Sequence, residues 1–186
     1  MDKGSSSSDF WRNMYDKVGN LPEAWEGAAD SLLSAARVLR AARDTARQSP
    51  IKVGDAVPEG ERAFPVEIML RGFALECLFK ALWVKRGNKL ALQGKLQRIP
   101  GVGNHELLQL ADTLGFKCEP NERDLLKRLS LFMTSVGRYP IATDWSKTKP
   151  QKAFSGGTGP PTGCSSPSDD DAYNAVLTRI EAELAR

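Results

Sequence analysis

At 186 residues, with 41% hydrophobic and 26% charged side chains, the chain has the make-up of one globular domain that buries its own core. Its most apolar stretch is interrupted by Lys80, Lys85 and Arg86, which excludes a membrane-spanning helix, and its opening residues lack an apolar signal segment, so a cytoplasmic protein is expected. Cys77, Cys118 and Cys164 form no CxxC pair and His105 is the single histidine, so neither a disulfide framework nor a structural zinc site is expected, and no cofactor is called for.

The net charge of +3 is unevenly spread. Residues 61–152 carry 16 basic and 9 acidic side chains, whereas both ends are net acidic. Lys80, Lys85, Arg86, Lys89, Lys95 and Arg98 follow one another with no acid between them, a density that suits a phosphate-bearing partner if they share a face.

In chain order, residues 1–20 read as a flexible tail and 21–186 as a single helical domain. The Ala-, Leu- and Arg-rich stretch after Pro22 predicts a long helix to about Gln48, ended by Pro50. A second helix is predicted over 64–86, with Leu75, Leu78, Phe79 and Leu82 on one face and Gly87 as its stop; this is the expected core helix. A third is predicted from a capping Asn104 to Gly115, and a fourth over 121–136. A Gly-, Pro- and Ser-rich loop is expected at about 140–168. A last helix follows a Ser168 cap, with Asp169, Asp170 and Asp171 at its positive end. No strand pair is evident, so the expected architecture is an all-α bundle of about five helices.

Glu76 and Lys80 stand four apart on the core helix in the order that favours an ion pair. A partly buried Glu76 would also aim at a basic group on another element. Imidazole is the side chain that moves protons near neutral pH, so His105 is the one candidate for acid–base work on a phosphate ester.

The strings RGFALECLFKALWVKRG, HELLQLADTLG and LLKRLSLFMTSVGRYP, followed by a closing amphipathic helix, resemble a HEPN domain over about residues 25–185. The resemblance implies a helical bundle tied to RNA cleavage, toxin–antitoxin pairs and anti-phage defence, working as a homodimer and with a cognate nucleotidyltransferase or antitoxin as possible partner. It also points to Arg138 and Tyr139, in the Arg-Tyr-Pro string, as a phosphate-holding pair. Nuclease members carry an Arg, four to six residues and a His late in the bundle, but no histidine follows Arg138. The spacing recurs only at Arg98 and His105, in the loop before the third helix. If the chain is an enzyme, it would be a metal-independent ribonuclease. An RNA- or nucleotide-binding protein is the expected function, with a non-catalytic interaction or regulatory bundle, or a DNA-binding module using the Pro-Gly-Val-Gly hairpin, as the alternatives. Locally, LQRIPGVGNHELLQLADTLG is similar to a helix-hairpin-helix, whose turn would offer backbone N–H groups to a nucleic-acid phosphate. The broad apolar faces of the second and fourth helices suggest a symmetric dimer.

Overall fold

The computed structural model describes residues 4–48, 56–136, 151–152, 158–159 and 166–186. It is an all-α bundle. The helices are α1 (Gly4–Gly19), α2 (Pro22–Arg47), the single turn α3 (Glu59–Arg62), α4 (Phe64–Lys85), α5 (Leu107–Thr113), α6 (Pro120–Leu131) and α7 (Pro167–Leu184), with a π-helical turn over Phe132–Val136 continuing α6. No helix among the described residues is long and apolar enough to cross a membrane.

The core forms around α4, whose Ala74, Leu75, Phe79, Ala81 and Leu82 are almost wholly inaccessible. Its sequence is apolar on most of its circumference, as a helix surrounded by others must be. The side-chain-free Gly72 lets Met133 of the π turn sit against the α4 backbone, and a Cβ there would collide with the Met133 sulfur. The faces of α4 and α6 that suggested a dimer are covered inside the monomer: Leu78, Leu125, Leu129, Phe132 and Met133 are all buried. Exposed large apolar side chains cluster on α1, where Phe10, Trp11 and Tyr15 stand in solvent, and others such as Val38, Val66 and Leu96 are scattered singly.

Four local expectations are corrected. The first is the N-terminal segment, which is helical over Gly4–Gly19. It is fastened by Asp16, whose carboxylate accepts from the Gln93 and Gly94 N–H groups, and by the Asn20 amide, which bonds Leu90, Ala91 and Asp16 backbone groups. The second is the absence of strands. A two-residue hairpin, β1 (Ala91–Leu92) and β2 (Lys95–Leu96), closes through Gln93 and Gly94 at φ 54° and 73°, the paired positive values of a tight hairpin turn. A second short pair joins β3 (Gln151–Lys152) to β4 (Thr158–Gly159); of the loop expected at about 140–168, Pro167 and Ser168 already belong to α7, and the rest up to 165 lies outside the described residues.

The third concerns α5, which begins at Leu107 and is not capped by Asn104. His105 has φ 60°, so it cannot belong to the helix, and the Leu107 N–H is met by the Ser130 hydroxyl of α6 at 2.9 Å. The fourth is the α7 cap, Ser166 in place of Ser168: its hydroxyl accepts from the Asp169 N–H while Asp169 returns a bond to the Ser166 N–H.

α7 is held by charges along its length. Asp169 pairs with Arg128 at 2.5 Å, Asp170 with Arg71 at 2.8 Å and with Arg40, Arg179 with Glu122, and Glu183 with Arg86 at 2.7 Å. Beneath Asp170, Glu67 of α4 is fully buried and pairs with the equally buried Arg43 of α2 at 2.6 Å. Burial pushes the Glu67 carboxyl above its ordinary range against the pull of Arg43, Arg71 and Arg40. Asp169 and Asp170 shift the opposite way: burial would raise them, but the bonds from Arg128 and Ser166, and from Arg40 and Arg71, hold both below the ordinary carboxylate range.

Removing one partner of the buried pair leaves an uncompensated charge, so Glu67→Ala should lower the unfolding free energy by about 3–5 kcal/mol, and an Arg43→Met, Glu67→Leu double variant should recover most of it in urea denaturation. Because Asp169 and Asp170 titrate lower when folded, the stability they supply is present above their unfolded pKa and is lost as pH falls through the folded values. Acid titration should therefore destabilise the wild type below about pH 4, with a shallower slope in Asp170→Asn; Glu67, shifted upward, contributes with the opposite sign.

Candidate functional site

Glu76 lies on the α4 face turned toward the loop before α5, and it is the meeting point of an ammonium and an imidazole. One carboxylate oxygen accepts from Lys80 at 2.6 Å and the other meets Nδ1 of His105 at 2.8 Å. The expected ion pair of Glu76 and Lys80 therefore forms, and the group on another element that Glu76 reaches is the imidazole. Burial alone would raise the Glu76 carboxyl, but the Lys80 ammonium and the His105 hydrogen bond outweigh it, and the carboxyl is held below its ordinary value.

With Glu76 ionised, Nδ1 of His105 carries the proton and donates it, which leaves Nε2 as the open nitrogen with no partner among the described residues. The ring is fixed from a second side by an edge-on contact with Phe73, 5.2 Å between centroids. Lys80 is fixed in turn by the Trp25 ring at 5.2 Å. The left-handed backbone at His105 is a conformation that residues with a Cβ adopt at a cost of about 1–2 kcal/mol. Here the Glu76 bond and the Phe73 contact hold it.

These groups line a cleft of about 210 Å³ between α4 and the loop from β2 to α5. Arg98 lines the same cleft, so the two residues that share the Arg-x6-His spacing do come together in space. Arg98 is exposed and has no partner among the described residues, and the rest of the wall mixes the apolar Leu96, Ile99, Val102 and Leu110 with the polar Gln97, Asn104 and Glu106. The arrangement offers an oriented imidazole and a free guanidinium on one open, partly apolar cleft. Those are the parts needed to hold an oxyanion and move one proton beside it.

The remaining basic residues are not gathered on this surface. Lys85 donates to the Leu184 carbonyl and so finishes the C-terminus of α7, while Arg86 donates to the Leu114 carbonyl at the end of α5 and pairs with Glu183. Both are spent on helix ends, where cations are favoured. Lys95 is exposed on β2, and Lys89 is exposed between α4 and β1. Arg138 and Tyr139 lie outside the described residues.

The Pro-Gly-Val-Gly segment forms a turn in which the Val102 N–H bonds the Ile99 carbonyl and the Gly103 N–H bonds the Gln109 side chain. Those two amides are occupied within the protein. Lys95 and Leu96 before the turn are a strand, so the first helix of a helix-hairpin-helix is missing. Burial raises the thiols of Cys77 and Cys118, the latter to about 11, which disfavours the nucleophilic thiolate at both. Among the described residues no three His, Cys, Asp or Glu side chains converge as metal ligands.

The cluster of Arg40, Arg43, Glu67, Arg71 and Asp170 escaped the sequence reading. Its signal was Glu67 and Arg71, four apart and each flanked by apolar residues, where a buried charge requires a partner from a neighbouring element.

Compared with models of protein families, with curated proteins and with solved structures, the chain matches none.

Replacing His105 by glycine and by alanine deletes the same ring but treats the backbone differently. His105→Gly should be about 1 kcal/mol more stable than His105→Ala in chemical denaturation, because only glycine adopts positive φ freely.

Proposed function

We propose that the protein is a HEPN-like RNA- or nucleotide-binding protein that takes a phosphate at the Arg98 rim of the His105 cleft. The observation that carries this reading is the placement of an oriented imidazole, with Nε2 open, on the same cleft as an unpaired guanidinium. Lys95, on the hairpin strand that leads into this loop, is exposed as well, as is Lys89. In this reading Arg98 holds the phosphate oxygens, Glu76 fixes the tautomer and orientation of His105, and His105 is the group able to exchange a proton with a bound 2′-hydroxyl or leaving oxygen. The family resemblance adds a cytoplasmic defence or toxin–antitoxin setting, a homodimer, and a nucleotidyltransferase or antitoxin as cognate partner.

A second reading is a non-catalytic interaction bundle. It is favoured by α1, where Phe10, Trp11 and Tyr15 are about half exposed or more.

The two separate on one experiment with labelled single-stranded RNA. Binding should weaken steeply with salt, and Arg98→Ala together with Lys95→Ala should lower affinity about tenfold or more at low salt. His105→Ala should leave binding nearly unchanged and remove any cleavage that persists in EDTA. Salt-independent binding, or binding unaffected by the Arg98 and Lys95 changes, would leave the interaction bundle as the better account.

A further inference from the structure

A surface helix ordinarily turns its apolar stripe toward the body of the protein and its charges toward water, and α1 does the reverse. The side that meets the protein is polar or small: Arg12 lies against Gly94, the Asp16 carboxylate takes the Gln93 and Gly94 N–H groups, and Gly19 sits directly against the Ala91 side chain. The other side carries Phe10, Trp11, Met14, Tyr15 and Val18, from 38% exposed at Met14 to 67% at Trp11. At about 3.6 residues per turn the two sets fall on nearly opposite sides of the helix, so the apolar stripe is uncovered along its whole length.

The spacing of the stripe says what kind of element covers it. Trp11, Met14 and Val18 are separated by three and then four residues, the repeat of a helix–helix seam, and Phe10 and Tyr15 take the positions that flank such a seam. Charge then selects among partners. From Asp9 onward the helix carries two acids, Asp9 and Asp16, against two bases, Arg12 and Lys17; Asp9 pairs with Arg12 at 3.3 Å, and Asp16 is spent on the hairpin. A lipid surface selects a cationic polar face and a nucleic acid selects cations beside the aromatic rings, and this helix has neither excess. A neutral apolar seam is matched by another neutral apolar seam, which a second copy of the chain supplies.

The area is sufficient. With an aromatic residue presenting about 200 Å², the exposed parts of these five side chains come to on the order of 500 Å² per copy. Two copies then bury about 1,000 Å², the size at which specific interfaces begin.

We propose that α1 pairs antiparallel with α1 of a second copy, about a twofold axis between Met14 and Tyr15. Trp11 then meets the partner's Val18, the largest seam residue against the smallest, and the contact repeats by symmetry on the other side of the axis. The direction follows from the attachment of the helix: the chain runs into the bundle from the C-terminal end of α1, so antiparallel pairing holds the two bundles at opposite ends, whereas parallel pairing would crowd them together. This gives a surface to the homodimer of the reading above and does not rest on the Arg98 site.

The test is the solution mass of the full chain, followed by light scattering across the micromolar range. The wild type should rise from 20.4 kDa toward twice that mass with concentration. Trp11→Glu should weaken association on the order of thirtyfold, as loss of a central aromatic anchor does, and Val18→Lys should weaken it as well, both with unchanged helix content by circular dichroism. An equal mixture of the two variants should associate again, because the antiparallel register sets the introduced carboxylate against the introduced ammonium, and this rescue separates a lost contact from a lost fold. Arg98→Ala should leave the mass unchanged, so failure of the RNA reading and failure of this one are seen apart. The proposal is overturned if the wild type stays monomeric, if the dimer survives Trp11→Glu, if the mixed variants fail to associate, or if Trp11→Glu removes binding to phosphatidylcholine vesicles or to single-stranded RNA from a chain that is monomeric throughout.

Discussion

The constraint on which the rest of the molecule depends is the enclosure of α4. A helix covered on most sides has little solvent face on which to discard a charge, yet this one buries Glu67, Arg71 and Glu76. Each of those groups must be answered by a side chain brought from elsewhere. At the N-terminal end the answer comes from α2 and α7, through Arg43 and Asp170; toward the C-terminal end it comes from Lys80 on α4 itself and from the loop before α5, through His105. The His105 cleft is a consequence of this requirement. It forms where the loop before α5 converges on the buried Glu76 carboxylate, and it inherits part of its polar lining from that convergence.

The same logic explains why the run of cations between Lys80 and Arg98 is not one surface. A helix and a hairpin separate these residues in space, and neighbouring elements claim several of them. The ends of α5 and α7 expose carbonyls that need donors, and Lys85 and Arg86 lie within reach of both. What remains outside is a smaller group, Lys89, Lys95 and Arg98, on the hairpin side.

How far the sequence carried depended on the range of the interaction involved. The core helices were legible to within a residue or two, because Pro22, Gly87 and the Leu75–Leu82 stripe act on the chain next to them. The Glu76–Lys80 pair was legible for the same reason. α1 was not, since its anchoring bonds run from Asp16 and Asn20 to residues some seventy positions away. The hairpin turn was hidden by Gln93, a residue not usually found at positive φ. His105 is the instructive case. It falls just after Asn104, the expected cap of the third helix, whereas the start of α5 is capped by Ser130 from α6, and His105 is held outside the helix by Glu76. No local signal carries that information.

The packing of Met133 into the notch at Gly72 has a chemical consequence. Its thioether is wholly buried and lies where a side chain on α4 would otherwise stand. An oxygen added to that sulfur would have no room and no hydrogen-bond donor, so the native state both shields the atom from peroxide and cannot accommodate the sulfoxide. Oxidation at this position is then confined to molecules in which the π turn has parted from α4. Once made, the modification traps them there until a reductase restores the thioether, so the redox state of one buried sulfur keeps a chemical record of how often the bundle opens.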